Sequence, residues 1–232
     1  MKIEHTRSIE QIIEEQIKKW EAALRDKKKT PTSFPTITVS RQAGSRGHIL
    51  APRLAKDLGL DFFDQEIIQA IADNANIRTS VVRTLDEKSV SAIESMFSAI
   101  TDEQHLWRYE YLDHLVKVIG AIGKHGHAVI LGRGANFILP QEDILRVRIV
   151  APLEVRIKNT AEWLNLSLAE AKKQVLKVES DRIAFIRKYF NADIDDPVHN
   201  DIIINTKNTS IDAAVDIVKA ALKFKYGGGN KF

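Results

Sequence analysis

The sequence predicts an α/β protein, a five-stranded parallel sheet wrapped by helices, and three observations predict it. Short strand-like runs alternate with longer stretches of helical periodicity along the chain. Thr36 to Val39 is a β-branched run of the kind that fills a central strand, and Ala128-Val129-Ile130-Leu131 is a continuous apolar run, as for a strand covered on both faces. Between Pro35 and Leu60 the order is strand, glycine-bearing turn, helix, the unit from which parallel sheets with right-handed crossovers are built.

Composition sets the bounds. The 232 residues suffice for one α/β domain with a proper core and an inserted subdomain. A hydrophobic content of 44% and a charged content of 28% are ordinary for a globular protein. The net charge of +3 suits phosphate handling and is too small to argue for nucleic acid. There is no cysteine, which excludes disulfides, thiolate metal sites and cysteine nucleophiles. Met1 to His5 lacks an apolar leader core, and no apolar run approaches membrane-spanning length. A cytoplasmic location with no membrane partner is the expectation.

The elements follow in order. Ser8 to Asp26 reads as an amphipathic helix, with a Ser8/Gln11 capping box and a stripe of Ile9, Ile13, Ile17, Trp20 and Leu24. Such a helix, within residues 1–30, packs on the domain or on a second copy, so a homodimer is among the expected states. Lys27-Lys28-Lys29 and Pro31 form a linker into the first strand, Thr36–Val39. In the turn Ala43-Gly44-Ser45-Arg46-Gly47 the glycines admit positive φ. Ile49, Leu50, Leu54, Ala55 and Leu58 then recur at helical spacing, and Gly59 stops the helix. A strand feeding such a turn and a helix N-terminus makes a phosphate cradle of backbone N–H groups and helix dipole.

The cradle departs from the strict G-x-x-x-x-G-K-[ST] pattern. Gly44 and Ser45 match it, but Arg46 stands at the second glycine, Gly47 at the lysine and His48 at the Ser/Thr. Arg41 and Arg46 are the nearby cations that could supply the charge instead.

Leu60 to Asp64 reads as a short strand ending on an acid, and Gln65 to Ala75 as a helix with Ile67, Ile68 and Ile71 inward. From Arg78 to Thr101 the pattern is helical and polar, with Asp86-Glu87-Lys88 in its middle. Tyr109 to Lys124 is a stronger helix ended by Gly126. Residues 65–125 thus form a helical insertion that could cover a substrate. The strand Ala128–Leu131 ends in Gly132-Arg133-Gly134, an exposed position at a strand end where arginine can clamp a phosphate or carboxylate. Leu145 to Val150 is the fourth strand, and Pro152 opens the next helix. Ser167 and Glu170 cap a long charged helix carrying Lys172, Lys173, Lys177, Glu179, Asp181, Arg182, Arg187 and Lys188. Most of that charge reads as a solvated face. Arg182 and Arg187, close to the break Asn191-Ala192-Asp193, are the candidates for a lid over phosphates, within residues 152–192. Asp201 to Asn205 is the last strand, Ile211 to Phe224 the last helix, with Val215, Ile217, Val218 and Leu222 inward, and residues 225–232 a glycine-rich tail.

A phosphate loop after strand one, an insertion after strand two and a basic hairpin after strand four describe the layout of a nucleoside monophosphate kinase, a three-layer sandwich of the P-loop NTPase type, over residues 35–224. The residues resemble the cytidylate kinase-like family from Thr38 to Leu222. The resemblance rests on Val39-Ser40-Arg41-Gln42 with Gly44-Ser45, on Phe62-Phe63-Asp64-Gln65-Glu66, and on Ile130-Leu131-Gly132-Arg133-Gly134-Ala135-Asn136-Phe137-Ile138-Leu139, the most specific match. Ala151 to Arg156, Asp181-Arg182 through Phe190, Asp195-Asp196-Pro197 and Asp201 to Thr206 complete it.

That resemblance implies transfer of the γ-phosphoryl group of ATP, with Mg²⁺, to CMP, dCMP or a similar acceptor. It implies Gly44, Ser45 and Gly47 around the ATP phosphates, with Arg41, Arg46 and His48 in the same loop region. Asp64 falls near the metal or the acceptor phosphate, Arg133 on the acceptor phosphate, and Arg182 and Arg187 in the lid. Gly134 replaces the aspartate that follows the arginine in the bacterial cytidylate kinases, and no lysine or Ser/Thr ends the loop. No three-residue metal site is readable. The alternative is a nucleotide- or phosphate-binding regulatory module with little or no transfer activity. A hydrolase is disfavoured, because the seven histidines are scattered and none stands in H-E-x-x-H or beside G-x-S-x-G.

Overall fold

Five parallel strands carry the fold. The computed structural model describes residues 7–25, 35–100 and 110–226. The strands are β1 (Thr36–Arg41), β2 (Asp61–Phe63), β3 (Ala128–Leu131), β4 (Ile144–Val150) and β5 (Ile202–Asn205), in the order β2-β3-β1-β4-β5. Thr36 of the central β1 pairs with Ala128 on one side and Ile144 on the other, all in parallel register. The helices are α1 (Ile9–Arg25), α2 (Gly47–Leu58), α3 (Gln65–Asp73), α4 (Ala75–Arg83), α5 (Glu87–Ile100), α6 (Glu110–His125), a single turn α7 (Ala135–Ile138), α8 (Leu153–Leu164), α9 (Leu168–Phe190) and α10 (Ile211–Tyr226). The linker residues 27–31, Thr101 to Tyr109 and the tail from Gly227 lie outside the described residues.

Because side chains alternate along a strand, the sheet divides the core in two. Ile37, Val39, Leu131 and Val147 meet Leu50 and Leu54 of α2 and Val215 and Val218 of α10 on one face. Phe63 and Ile130 meet Ile67, Ile68 and Ile71 of α3 and Leu115, Ile119 and Ile122 of α6 on the other, with Ile13 and Trp20 of α1 added outside. Each fully buried Leu or Ile contributes about 1.5–3 kcal/mol of transfer free energy. These two layers on one sheet are the three-layer sandwich expected.

Local signals decide the ends. Ser8 and Gln11 exchange the two capping-box bonds, each 3.2 Å, and Ser167 and Glu170 do the same at the start of α9. Pro52 lies inside α2 without ending it. Two expected helices break. Asn74 ends α3, and its side chain accepts from the N–H groups of Asn76 and Ile77 to start α4. Asp86 accepts from the Ser89 N–H at 2.7 Å, so Asp86-Glu87-Lys88 starts α5 and is not its middle. Three expected core positions are exposed: Ile49, Ile217 and, at the end of the α1 stripe, Leu24. Ile49 lies about 100° round the helix from Leu50, away from Ala51 and Leu54.

Candidate functional site at the strand ends

The C-terminal ends of β1 and β3 stand side by side, joined through the Val39–Leu131 pair. Ligands of open parallel sheets sit beyond such ends. The turn after β1 is held from every side. The Gln42 N–H donates to Ile149 O at 2.9 Å, and its side-chain oxygen accepts from the Ala151 N–H at 3.2 Å. The buried Ser45 hydroxyl lies 2.8 Å from Gln42 O and 3.0 Å from Ile149 O, and the Ser45 N–H donates to Gln42 O. Ser45 therefore shapes the turn and turns its hydroxyl away from the cradle. The Thr206 hydroxyl donates to Ser45 O at 3.0 Å, anchoring the turn to the end of β5.

Glycines are required here for two different reasons. Gly44 has φ +82°, and a Cβ on it would lie 2.3 Å from the Arg156 carbonyl oxygen of α8. A Cβ on Gly47 would lie 2.6 Å from the Arg41 Cβ. The Arg41 stem thus crosses the spot where a loop lysine would begin. Among the described residues no acceptor meets the N–H groups of Gly44, Gly47 or His48. Two of these belong to the first turn of α2, where the dipole adds partial positive charge.

The turn after β3 is open by contrast. Gly132, Arg133 and Gly134 all take positive φ, +85°, +54° and +69°, a local strain typical of functional turns when a non-glycine residue adopts it. Arg41 lies against Gly132, where a Cβ would meet its Nη1 at 2.1 Å. Gly134 faces Phe190, whose Cε2 would stand 2.5 Å from a Cβ. An aspartate here, as in the bacterial cytidylate kinases, would need the Phe190 ring to turn aside. The Arg133 Nε is buried with no hydrogen-bond partner.

Three guanidinium groups converge between these turns. Arg41 comes from the end of β1, Arg133 from the turn after β3 and Arg182 from α9. The Arg182 Nη1 donates to Arg41 O at 2.9 Å, and the Arg41 Nη2 approaches Gln65 Oε1 at 3.4 Å. Burial, then the neighbouring Arg182 and Arg133 charges, push the Arg41 pKa well below its usual value, against the pull of Asp64 and Glu179. Burial also lowers Arg182, with Glu179 opposing and the Arg148 charge adding. Clustered cations of this kind destabilise one another until an anion arrives. They border a cleft of about 350 Å³ whose other walls include Asn136, Phe137 and Phe185.

The remaining expected residues are placed as follows. Asp64 lies just past β2 and is buried; its Oδ1 accepts from the Glu66 and Ile67 N–H groups at 2.9 and 3.0 Å, capping α3. It also lines a small recess with Arg41, Gly44, His48 and Arg182. His48 has a buried, unpartnered Nε2, and its ring lies 4.4 Å from that of Trp163. Burial, then the Arg41 charge, depress its pKa to about 4, so the ring is neutral at pH 7. Arg46 is exposed and lines a separate outer recess with Trp163 and Ile211. Arg187, five residues beyond Arg182, lies about 140° round α9 and is exposed, outside the cleft. Among the described residues no three His, Asp or Glu side chains gather as a metal site.

Three residues received no role from the sequence. Arg148 of β4 is fully buried, donating to Ser40 Oγ at 2.6 Å and to Asp195 Oδ1 at 2.5 Å. An arginine inside a buried strand needs such partners, and that was a legible signal. Arg156 and Glu179 face the first turn from α8 and α9, and nothing local in the sequence separates them from their solvated neighbours.

Residues 36–208, well over half the chain, match the model of the cytidylate kinase-like family. The chain belongs to that family. Among curated relatives, a cytidylate kinase from Ignicoccus hospitalis is 25% identical over 187 residues, covering 80% of this chain and 98% of its own length. A cytidylate kinase from Staphylothermus marinus is 29% identical over 94 residues, 40% of this chain and 53% of the relative. The chain thus spans about half the length of several curated relatives it matches. A crystal structure of an uncharacterized protein from Eubacterium ventriosum superposes with a TM-score of 0.62 at 21% identity, covering 82% of this chain and 98% of that one. It shows the same fold. Kinase chemistry is therefore the family's, and no described helix is long and apolar enough to cross a membrane.

Proposed function

We propose that the chain is an ATP-dependent nucleoside monophosphate kinase, with CMP or dCMP as the leading acceptors. The observation that carries this reading is the convergence of Arg41, Arg133 and Arg182 from three elements beside unpartnered loop amides. Phosphoryl transfer needs in-line positioning and neutralisation of charge more than a covalent nucleophile. Three fixed guanidinium groups supply both, since each fits two phosphate oxygens at once.

In this reading the ATP phosphates lie on the Gly44–His48 amides and the acceptor phosphate on Arg133, with the cleft against Phe137 and Phe185 taking the acceptor nucleoside. Arg41 replaces the loop lysine, coming from the strand because its stem occupies the lysine's place at Gly47. Arg182 spans donor and acceptor. The bond from the γ-phosphorus to the β-bridging oxygen breaks, and a bond from the acceptor phosphate oxygen forms, leaving ADP and a nucleoside diphosphate. Mg²⁺ would enter with the triphosphate, keeping several waters and needing one or two carboxylates, and Asp64, which lines the recess beside the cradle, would supply one of them. Neutral His48 suits a hydrogen bond to a phosphate, not an ion pair. Such chemistry belongs in the cytoplasm, where ATP is.

A second reading, a nucleotide-binding module without transfer, draws on the glycine at the lysine position and on a carboxylate already seated at the loop. Incubation with ATP, Mg²⁺ and CMP, dCMP, UMP or AMP separates the two. Diphosphate product supports the kinase, and nucleotide binding without product supports the module.

A further inference from the structure

The phosphate loop already holds an anion of the protein's own. Glu179 reaches from α9 so that its Oε2 accepts from the Ala43 N–H at 2.7 Å. The same oxygen lies 3.4 Å from the Arg156 Nη1 of α8. Arg156 is itself turned to the loop, with Nε donating to Ala151 O at 3.0 Å and Nη1 lying 3.4 Å from Ala43 O. The Glu179 carboxylate also acts electrostatically on both Arg41 and Arg182. One carboxylate therefore stands among three arginines and on the first amide of the cradle. Its other oxygen, Oε1, is buried without a partner. A phosphate, with more oxygens and more charge, would satisfy these donors more fully.

We propose that Glu179 is the resident occupant of the phosphate site, that a polyphosphate binds by displacing it, and that Arg156, released from Glu179, becomes a further phosphate-binding cation. Two anions cannot share the Ala43 amide and Arg156, so binding and withdrawal of the α9 carboxylate are one event. Because α9 also carries Arg182, withdrawal of Glu179 and seating of Arg182 are mechanically linked. The proposal rests on the β1 turn being the phosphate site of the proposed kinase.

The test is calorimetric titration of the full chain with inorganic tripolyphosphate and with ATP, for wild type, Glu179→Gln, Arg156→Gln and the double variant. Glu179→Gln removes the charge while keeping the shape, and is expected to bind tripolyphosphate about tenfold or more tightly than wild type. In that background Arg156→Gln is expected to weaken binding about tenfold, which a purely bracing role for Arg156 would not produce. Should Glu179→Gln fail to fold, Glu179→Asp draws the carboxylate back by one bond and is expected to give a smaller gain. Equal binding by wild type and a folded Glu179 variant overturns the proposal while leaving the β1 turn as the phosphate site. Binding by neither overturns both.

Discussion

The turns after β1 and β3 leave adjacent strand ends, and both put glycine and arginine into left-handed backbone. In the first turn the backbone is held through Ser45, Gln42, Thr206 and the α8–α9 hairpin, and a carboxylate sits on its leading amide. In the second, Arg133 projects with an unpartnered Nε into an open cleft. The contrast separates two kinds of preorganisation. The first turn is tied to its neighbours and holds a carboxylate, so under the proposed exchange a phosphate enters it by displacing that anion. The second is strained, with the Arg133 Nε unpartnered, so in the proposed kinase it takes the acceptor phosphate directly.

The largest expected effect falls on the second turn and is purely functional. Arg133→Ala should lower transfer by about a thousandfold or more, with no fall in the thermal midpoint, because no described hydrogen bond depends on that side chain and a charge that repels Arg41 is removed. A large loss of stability instead would make the two turns alike. The next contrast concerns backbone. Gly44→Ala should cost about 3 kcal/mol or more, since its Cβ meets the Arg156 backbone oxygen and its φ is positive. Gly134→Ala meets only the Phe190 ring, which can turn aside, and should cost about 1–2 kcal/mol. Denaturant unfolding of the pair measures the difference. At Asp64, replacement by Ala should cost about 1–2 kcal/mol through the lost α3 cap, and by Asn less, because an amide oxygen still caps.

The smallest effect is with pH. His48 at the first turn and His125 behind the sheet, stacked on Trp20, both have folded pKa values of about 4, through burial. The unfolded chain takes up these protons first, so the stability they protect is complete above pH 6.5 and falls as pH drops toward 4. After allowance for their partial exposure the loss is about 1 kcal/mol each. His125→Phe should flatten that slope by half while leaving the site untouched, as followed by urea midpoints across the range.

What could be read from the sequence was what is local in it. Strands, glycine stops and both capping boxes depend on residues within a turn of one another, and they fell where expected. The positions of Arg41, Arg133 and Arg182 followed from strand ends and from the family resemblance. The Glu179–Ala43 bond joins residues 136 apart, and Arg148–Ser40 joins residues 108 apart. No periodicity registers such pairs. Arg187 illustrates the converse: its residue type and neighbourhood suggested the site, but five residues of helix turned it to solvent. The breaks at Asn74 and Asp86 were hidden because a capping side chain looks like any polar residue in a polar helix.

One measurement bears most directly on the two-turn site: diphosphate formation from ATP, Mg²⁺ and CMP by wild type and by Arg133→Ala, each shown folded by thermal unfolding. Transfer by wild type, lowered about a thousandfold or more in the variant with no loss of stability, is the expected result. Transfer that survives Arg133→Ala, or a wild type that binds neither ATP nor CMP, would contradict a phosphoryl-transfer centre between the ends of β1 and β3.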